Sequence, residues 1–403
     1  QRLCLERLEA SALDVQVAGT GDEQPQADRG VIDLPVVDLP LNEEVSPVEL
    51  GAFRYNDALV WDRLTLAAEG GGSDFTIRQL ALKREDLAVA VDGRVETRGD
   101  WPLAINVDLT LPPPAGDRWQ VAGQLRGSVR DLRANLNASG YLDGEASAEV
   151  EPLDPALPVS LDFRSPSFLA LETLPETLTL TDWTLSGQGN LVNGYRIRSD
   201  AKLPGQNGPV DMALSGRLTE QGASDLDLTL TGPSVTGDGQ AELAVEGMVD
   251  WQQELVAEAS VRMGELAWYG LLPQVEPPPV TITSLEASGR FANDQYQASL
   301  ELDAAGPMGE STLVTEVDGD LETVRLTELT MTTGAGKLQG QAQVGFAGQP
   351  SWQADLTLDS FNPGFWVPQA TASINGSVTT SGQLAADGTP DFTARWDLDG
   401  QWQ

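Results

Sequence analysis

The chain alternates apolar and polar residues with a period of two along most of its length, and no other feature constrains its fold as strongly. Residues 103–111 alternate almost perfectly, and residues 225–230, 295–302 and 352–358 follow the same pattern. Successive side chains of a β-strand point to opposite faces, so each segment predicts a strand with one apolar and one polar face. Segments with helical periodicity are nearly absent. The pattern therefore predicts an all-β fold.

Turn-forming dipeptides separate the alternating segments. Examples are Asp92-Gly93, Asn193-Gly194, Asp318-Gly319 and Asp387-Gly388, all of which suit tight hairpin turns. The segments recur about every 8–12 residues, a spacing typical of all-β chains, and we count about 20–24 predicted strands.

The charge of the chain excludes one class of partner. The sequence has 61 acidic and 24 basic residues, which gives a formal net charge of −37. The basic residues are spread singly, so no basic patch is available to displace the counterions of a phosphate backbone. We therefore expect no nucleic-acid partner.

The residue types that carry most catalysis are missing. Histidine is absent, and Cys4 is the single cysteine. This composition excludes Ser/His/Asp and Cys/His catalysis, histidine-ligated zinc and intrachain disulfides. We expect no catalytic residues, no metal and no cofactor, and we interpret the chain as a non-enzyme. A hydrolase that uses paired carboxylates is supported only by the number of acidic residues.

The apolar faces of so many strands must be buried, and the sequence allows two arrangements. In the first, pairs of sheets pack face to face as acidic β-sandwich domains of an adhesin or stalk. The similarity of residues 239–252 to 340–353, 101 positions later, suits such an array. In the second, one sheet curls into an elongated groove, a β-taco or open β-helix-like structure. Its apolar lumen could hold acyl chains, since each buried methylene contributes about 0.8 kcal/mol.

Apolar residues of the strongest alternating segments are the candidates for lining such a lumen. They are Val89, Val91, Leu103, Ile105, Val107, Leu109, Leu226, Leu228, Leu230, Leu243, Val245, Leu300, Leu302, Leu356 and Leu358.

Proline-rich stretches indicate the organisation of the chain. Residues 19–47 are polar and proline-rich, so we expect residues 1–47 to form an extended or partly ordered segment. We expect residues 48–403 to form a continuous repeat-like β-groove. Proline cannot donate to a β-ladder, so we expect breaks at the triplets 112–114 and 277–279.

Several segments, in their order along the chain, resemble the N-terminal periplasmic portion of the TamB family. Members of this family are AsmA-like, bridge-like lipid transfer proteins of Gram-negative bacteria. The resemblance covers about residues 45–403. It is carried by Leu80-Ala-Leu with Leu87-Ala-Val-Ala-Val-Asp-Gly-Arg-Val and Gly99-Asp-Trp-Pro-Leu-Ala-Ile-Asn-Val, by Leu171-Glu-Thr-Leu-Pro-Glu-Thr-Leu-Thr-Leu with Gly189-Asn-Leu-Val-Asn-Gly-Tyr, and by Pro350-Ser-Trp-Gln-Ala-Asp-Leu-Thr-Leu-Asp-Ser-Phe-Asn-Pro-Gly-Phe-Trp-Val-Pro.

The resemblance implies a curled sheet with an apolar groove in the periplasm, in a protein anchored in the inner membrane. It implies transport of phospholipids between the inner and outer membranes, and a contribution to outer-membrane biogenesis and protein assembly with the outer-membrane barrel TamA. The partners implied are phospholipid acyl chains, TamA through a C-terminal domain, and the inner membrane through an N-terminal anchor. We expect both of those segments to lie outside the sequence given, so only the function of the groove carries over to its residues.

Overall fold

The fold is all-β, as predicted. The computed structural model describes residues 2–5, 8–15, 33–56, 58–112, 118–169, 178–205, 208–234, 239–271, 278–307, 309–334, 336–365, 371–385 and 389–402. All 26 strands belong to one β-sheet, and no α-helix occurs in these ranges. The chain divides into two compact units: unit 1 is Gln1–Leu174 with Thr179–Ser199, and unit 2 is Pro175–Leu178 with Asp200–Gln403.

Unit 1 holds the first thirteen strands and the start of the fourteenth. They are β1 (Arg2–Leu5), β2 (Leu8–Val15), β3 (Leu39–Tyr55), β4 (Ala58–Trp61), β5 (Arg63–Gly72), β6 (Asp74–Lys83), β7 (Ala88–Glu96), β8 (Pro102–Leu111), β9 (Trp119–Ser128), β10 (Leu132–Ser139), β11 (Gly144–Val150), β12 (Val159–Phe168), β13 (Leu180–Asn190) and β14 (Gly194–Leu203).

Unit 2 holds the remaining strands, and its described residues include two short 3₁₀ helices. The strands are β15 (Val210–Leu218), β16 (Gly222–Pro233), β17 (Gln240–Asp250), β18 (Val256–Gly264), β19 (Thr281–Ala292), β20 (Gln295–Gly306), β21 (Gly309–Asp320), β22 (Thr323–Thr333), β23 (Gly336–Gly345), β24 (Ser351–Phe361), β25 (Ala372–Leu384) and β26 (Pro390–Trp402), and the 3₁₀ helices are Trp268–Leu271 and Pro363–Phe365.

Each unit is a meander in which strands that follow one another in sequence are paired antiparallel. This holds from β5 to β13 and from β15 to β26. Among the strand pairings given by the described residues, β1 and β2 pair parallel, both with β3. Within each unit the sheet is curled and open, which confirms the curled sheet. The sandwich alternative, with packed pairs of separate sheets, is wrong, because the strands form one sheet.

Bulges bend the strands, and a bulge adds local twist to a ladder. One separates Leu326 from Leu329 in β22, and another separates Leu358 from Phe361 in β24. Residues inside them, Glu328 and Ser360, have φ of 52° and 51°. The curvature of the sheet is therefore partly built from single residues held in a left-handed conformation.

The turn predictions were partly wrong. Asn193 ends a turn, and Gly194 begins β14, as expected. Asp92-Gly93 and Asp318-Gly319 instead lie inside β7 and β21. Gly93 has a φ of 148°, and a Cβ there would collide with the backbone of Ala104 in the neighbouring strand. The glycine is needed for close approach of two strands rather than for a turn.

Other expectations fall partly outside the described residues. These are Asp387-Gly388, Pro113, Pro114 and Pro277. β8 ends at Leu111, and Pro112 and Pro278 lie outside strands. The domain boundary at residues 47–48 stays a prediction.

Candidate functional site

In unit 1 the strand register aligns apolar residues into a continuous row across the sheet. The row crosses β2, β3 and β5 to β13. Its members, each paired with the next, are Leu8, Val48, Leu66, Leu80, Val91, Val107, Gly123, Leu136, Ala146, Phe163 and Leu185. Paired strands lie about 4.8 Å apart, so the row is on the order of 50 Å long.

A second row runs through unit 2 from β15 to β26, and it consists almost entirely of leucine and methionine. We call it the Leu/Met row. Its members are Met212, Leu230, Leu243, Met263, Leu285, Leu302, Leu313, Met331, Leu338, Leu358, Gly376 and Leu398. Eleven of the twelve successive strands present an unbranched or γ-branched side chain at one register, and β25 presents Gly376.

The register brings the predicted lining residues together. In unit 1, Val89 pairs with Leu109 and Val91 with Val107, while Ile105 pairs with Leu125. Leu103 pairs with Val95 on the same face. The six candidates of unit 1 therefore lie on one face of the sheet.

The same is true in unit 2. Leu230 pairs with Leu243 and Leu228 with Val245, while Leu226 pairs with Gly247. The four other candidates continue these rows. Leu302 pairs with Leu285, Leu300 with Ala287, Leu358 with Leu338 and Leu356 with Gly340.

All fifteen candidate side chains are half-buried, and none is fully buried. Their sequence neighbours on the opposite face are mostly exposed; Ala104, Asn106 and Asp108 beside Ile105 and Val107 are examples. A packed core would bury such residues almost completely. Curling brings the apolar side chains closer together but leaves part of their surface accessible, and extended apolar surface of this kind is a feature of ligand grooves.

The opposite face is polar and carries exposed ion pairs. Arg290 lies 2.9 Å from Glu258, Arg325 lies 2.7 Å from Asp318, and Asn106 donates a hydrogen bond of 2.8 Å to Asp92. A shallow depression of about 1020 Å³ on this face crosses β16 to β21. Exposed pairs of this kind contribute at most about 1 kcal/mol each to stability. We therefore interpret this face as the hydrophilic surface of the sheet.

Hydrogen bonding and burial shift the pKa of two side chains, Asp86 and Tyr296. The guanidinium of Arg84 lowers the pKa of the exposed Asp86 carboxyl through a hydrogen bond. Burial raises the pKa of the Tyr296 phenol, whose hydroxyl donates to the Thr323 carbonyl at 3.0 Å. Within the described ranges, no cluster of acidic residues or cysteine has a geometry that could hold a metal ion.

Sequence reasoning missed an aromatic cluster in unit 1. Trp119, Tyr141, Phe168 and Trp183 form a chain of rings with centroid separations of 6.1, 5.6 and 5.1 Å. The indole N–H of Trp183 donates to Ser199 at 2.8 Å. These residues lie near the ends of different strands, so only knowledge of the strand pairing could have grouped them.

It also missed two segments that cover part of the Leu/Met row. Leu266 packs with Ala241 and Met263, and Phe365 packs with Ala304 and Met331. Both segments follow strands in the longer connections of unit 2, and their sequences carry no periodicity that predicts burial against the sheet.

A family model described as the TamB N-terminal domain matches residues 3–278 and 272–403. The chain belongs to the TamB family. A curated relative, the translocation and assembly module subunit TamB of Haemophilus influenzae, is 25% identical over 223 residues. That match covers 50% of this chain and 16% of the relative, so it spans about a sixth of the relative's length. No solved structure matches the chain.

The family resemblance expected from the sequence is thus confirmed, and it covers nearly the whole chain. A search of the described residues finds no helix long and apolar enough to cross a membrane. The feature that this TamB-family chain offers for function is the pair of apolar faces, one in each unit.

Proposed function

We propose that this chain is a non-enzymatic part of a periplasmic conduit in which phospholipids move between the inner and outer membranes along an apolar groove. The conduit would contribute to outer-membrane biogenesis. The observation that carries the proposal is the register of the apolar residues. In unit 1 eleven strands, and in unit 2 twelve strands, each contribute one residue to an apolar row across the sheet. Most members of the two rows are half-buried, and Val48, Met263 and Met331 are buried. The half-buried members offer an apolar surface that extends over many strands to a long ligand.

Acyl chains fit the chemistry of this face. Each methylene that leaves water contributes about 0.8 kcal/mol, and a row of leucine, valine and methionine offers no polar group that fixes one position. The phosphate headgroup would stay in water, because burying an unpaired charge is very costly. A ligand held in this way can slide from strand to strand without breaking a specific hydrogen bond.

Membership of the TamB family supports the compartment and the partners. The curated relative is named as a subunit of a translocation and assembly module. We therefore propose that the chain acts in the periplasm, as part of a protein anchored in the inner membrane. We also propose that it works with the outer-membrane barrel TamA in the assembly of outer-membrane proteins.

Photocrosslinking in cells tests the proposal. A benzophenone amino acid is placed at Ile105, which is half-buried on the apolar face, and separately at Asn106, which is exposed on the polar face. Leu228 and Asp227 form a second pair of the same kind in unit 2. Lipid adducts are detected by a phosphate label. We expect adducts at Ile105 and Leu228, and none at the two polar positions.

A charge introduced into the groove gives a second readout. Ile105→Asp and Leu228→Asp should block lipid transfer, because a carboxylate in the path would have to be desolvated by each passing chain. Ala104→Asp is the matched control, since Ala104 is exposed and pairs with Arg94 and Arg126 on the polar face. Undiminished transfer by a well-folded double groove variant, or adducts at neither apolar position, would refute the conduit.

A further inference from the structure

The two long edges of the sheet in unit 2 are built differently. At one edge the strands are joined by short turns, residues 219–221, 251–255, 293–294, 321–322 and 346–350; we call this the turn edge. At the opposite edge, β20 and β21 and also β22 and β23 are joined by two residues, but residues 265–271 and 362–365 belong to longer connections that fold onto the sheet. We call this the covered edge.

Tightly packed side chains close the covered edge at two places. Leu266 is 1% exposed, and it packs on Met263 of the Leu/Met row; Phe365 is 2% exposed, and it packs on Met331. Leu266 forms a β-bridge with Ser234, whose hydroxyl donates to the Glu265 carboxylate at 2.8 Å. These segments are therefore held to the sheet by both packing and hydrogen bonds.

Phe365 is held to the sheet as firmly as Leu266. Its ring and carbonyl lie so close to Gly306 that a Cβ there would approach them to 2.9 and 2.8 Å. The side-chain oxygen of Asn362 accepts hydrogen bonds from the backbone N–H groups of Gly364 and Ala372, at 2.9 and 3.2 Å. A lipid leaving the groove sideways at this edge would have to displace this packing.

The turn edge has the opposite character. Leu321 is 75% exposed at the tip of a two-residue turn, and Phe346 is 56% exposed. Phe346 stands two positions beyond Val344 of the apolar face, and its N–H still continues the ladder to the Glu322 carbonyl at 2.7 Å. Trp251 and Leu255 are exposed in the same way beside Val249 and Ala257. The apolar surface of the groove therefore continues outward past the ends of the strands.

The charge of the turn edge is entirely negative. Residues 219–222, 250–255, 293–294, 320–323 and 345–351 contain no lysine or arginine. They contain six acidic residues: Glu220, Asp250, Glu254, Asp294, Asp320 and Glu322. A headgroup with an ammonium is attracted to such an edge, whereas one with only a phosphate is repelled.

We propose that the turn edge of unit 2 is the lateral opening of the groove, where phospholipids with an ammonium-bearing, zwitterionic headgroup enter and leave. This inference rests on the proposed function, and it adds the side of the opening and the class of headgroup. The acyl chains lie over the half-buried residues of the apolar face, such as Leu228 and Leu300, and not over Met263 and Met331, which Leu266 and Phe365 cover. The headgroup lies beside the turns, and the covered edge stays shut.

Two photoreactive forms of phosphatidylethanolamine test the proposal with the intact chain. One carries a diazirine near the end of an acyl chain, and the other carries it on the headgroup; labelled peptides are identified by mass spectrometry. We expect the acyl probe to label groove residues such as Leu228 and Leu300, and the headgroup probe to label the turns 293–294 and 321–322. Labelling of 265–271 and 362–365 by the headgroup probe, with the groove still labelled by the acyl probe, would overturn the opening alone. No groove labelling by the acyl probe would overturn the proposed function itself.

Variants at the edge provide an independent readout. Leu321→Glu with Phe346→Glu should slow the uptake of phosphatidylethanolamine from vesicles several-fold, because the apolar entrance becomes charged. Val192→Glu with Met248→Glu is the matched control: Val192 is 78% exposed in a turn of unit 1, and Met248 is 38% exposed and pairs with Glu258 on the polar face of unit 2. Equal slowing by both changes, or by neither, would count against the turn edge as the entrance.

Discussion

At the scale of single residues, close contacts rather than chemistry decide which positions tolerate change. Gly306 and Gly264 illustrate this, because both end strands at the covered edge of unit 2. A Cβ at Gly306 would meet the carbonyl and ring of Phe365, whereas a Cβ at Gly264 would meet no atom within 4 Å. Two glycines with the same place in the sheet therefore have different roles.

Gly306→Ala should destabilise the chain by about 1–3 kcal/mol, because Phe365 has to move out of a packed cluster. Gly264→Ala should be neutral or stabilising by up to about 1 kcal/mol, since the alanine enters open space in a strand. Urea unfolding monitored by tryptophan fluorescence measures both. Similar midpoints for the two variants would show that Phe365 does not rest on Gly306.

Alternation in the sequence predicted which residues share a face, and the fifteen lining candidates do lie on one face in each unit. It could not predict the role of Gly93, which resembles a turn residue beside Asp92 but lies inside β7. An Asp-Gly dipeptide occurs both in turns and where two strands approach closely. Only the contact of Gly93 with Ala104 and Ile105 shows which of the two applies here. Leu266 and Phe365 escaped prediction for a similar reason, because their burial depends on connections that carry no periodicity.

At the scale of strands, the bulges that bend the sheet hold non-glycine residues at positive φ. Glu328 has a φ of 52° within the bulge of β22, and it is exposed. The left-handed conformation costs an L-residue about 1–2 kcal/mol relative to glycine. The curvature of the strand is therefore achieved against a local penalty.

Glu328→Gly should raise the free energy of unfolding by about 1 kcal/mol, because glycine removes that penalty. Glu301→Gly is the control, since Glu301 is exposed in β20 with regular pairing to Glu286 and Val314. There glycine should cost about 0.5–1 kcal/mol. Denaturant titration measures the free energy of unfolding of both variants. A loss of stability in Glu328→Gly would mean that the bulge does not need the left-handed residue.

Tyr296 of β20 provides a pH-dependent contact with the first residue of β22. Its hydroxyl donates to Thr323, and burial raises its pKa above the ordinary value. A raised pKa in the folded state means that the unfolded state ionises first. The stabilisation is thus complete below about pH 10, the ordinary tyrosine pKa, and is lost as the pH rises through the raised value.

Tyr296→Phe should cost about 1 kcal/mol at pH 8, where the hydrogen bond is intact. The difference between the variant and the parent chain should shrink above pH 10. Urea midpoints of both proteins at pH 8 and at pH 10.5 measure it. A difference that stays constant with pH would show that the Tyr296 hydroxyl does not contribute through its protonated form.

At the scale of the whole molecule, the net charge of −37 acts together with the uneven placement of apolar surface. The charge predicts no nucleic-acid partner, but it could not predict which edge of the sheet a ligand would meet. That distinction depends on which connections fold onto the sheet, so it required the structure. Once the turn edge is known to hold acidic residues without lysine or arginine, the same charge predicts which lipids can approach it.

Zwitterionic phosphatidylethanolamine should be taken up from vesicles faster than anionic phosphatidylglycerol at low salt, because like charges repel within a Debye length of about 10 Å at 0.1 M salt. At about 0.5 M salt the two rates should converge.

Asp320→Asn with Glu322→Gln should reduce the discrimination between the two lipids at low salt, since both residues lie at the turn edge. Glu301→Gln with Glu310→Gln removes the same amount of charge elsewhere in unit 2 and should preserve it. Equal effects of the two pairs would attribute the discrimination to net charge, and equal uptake of both lipids at low salt would mean that headgroups do not pass the turn edge.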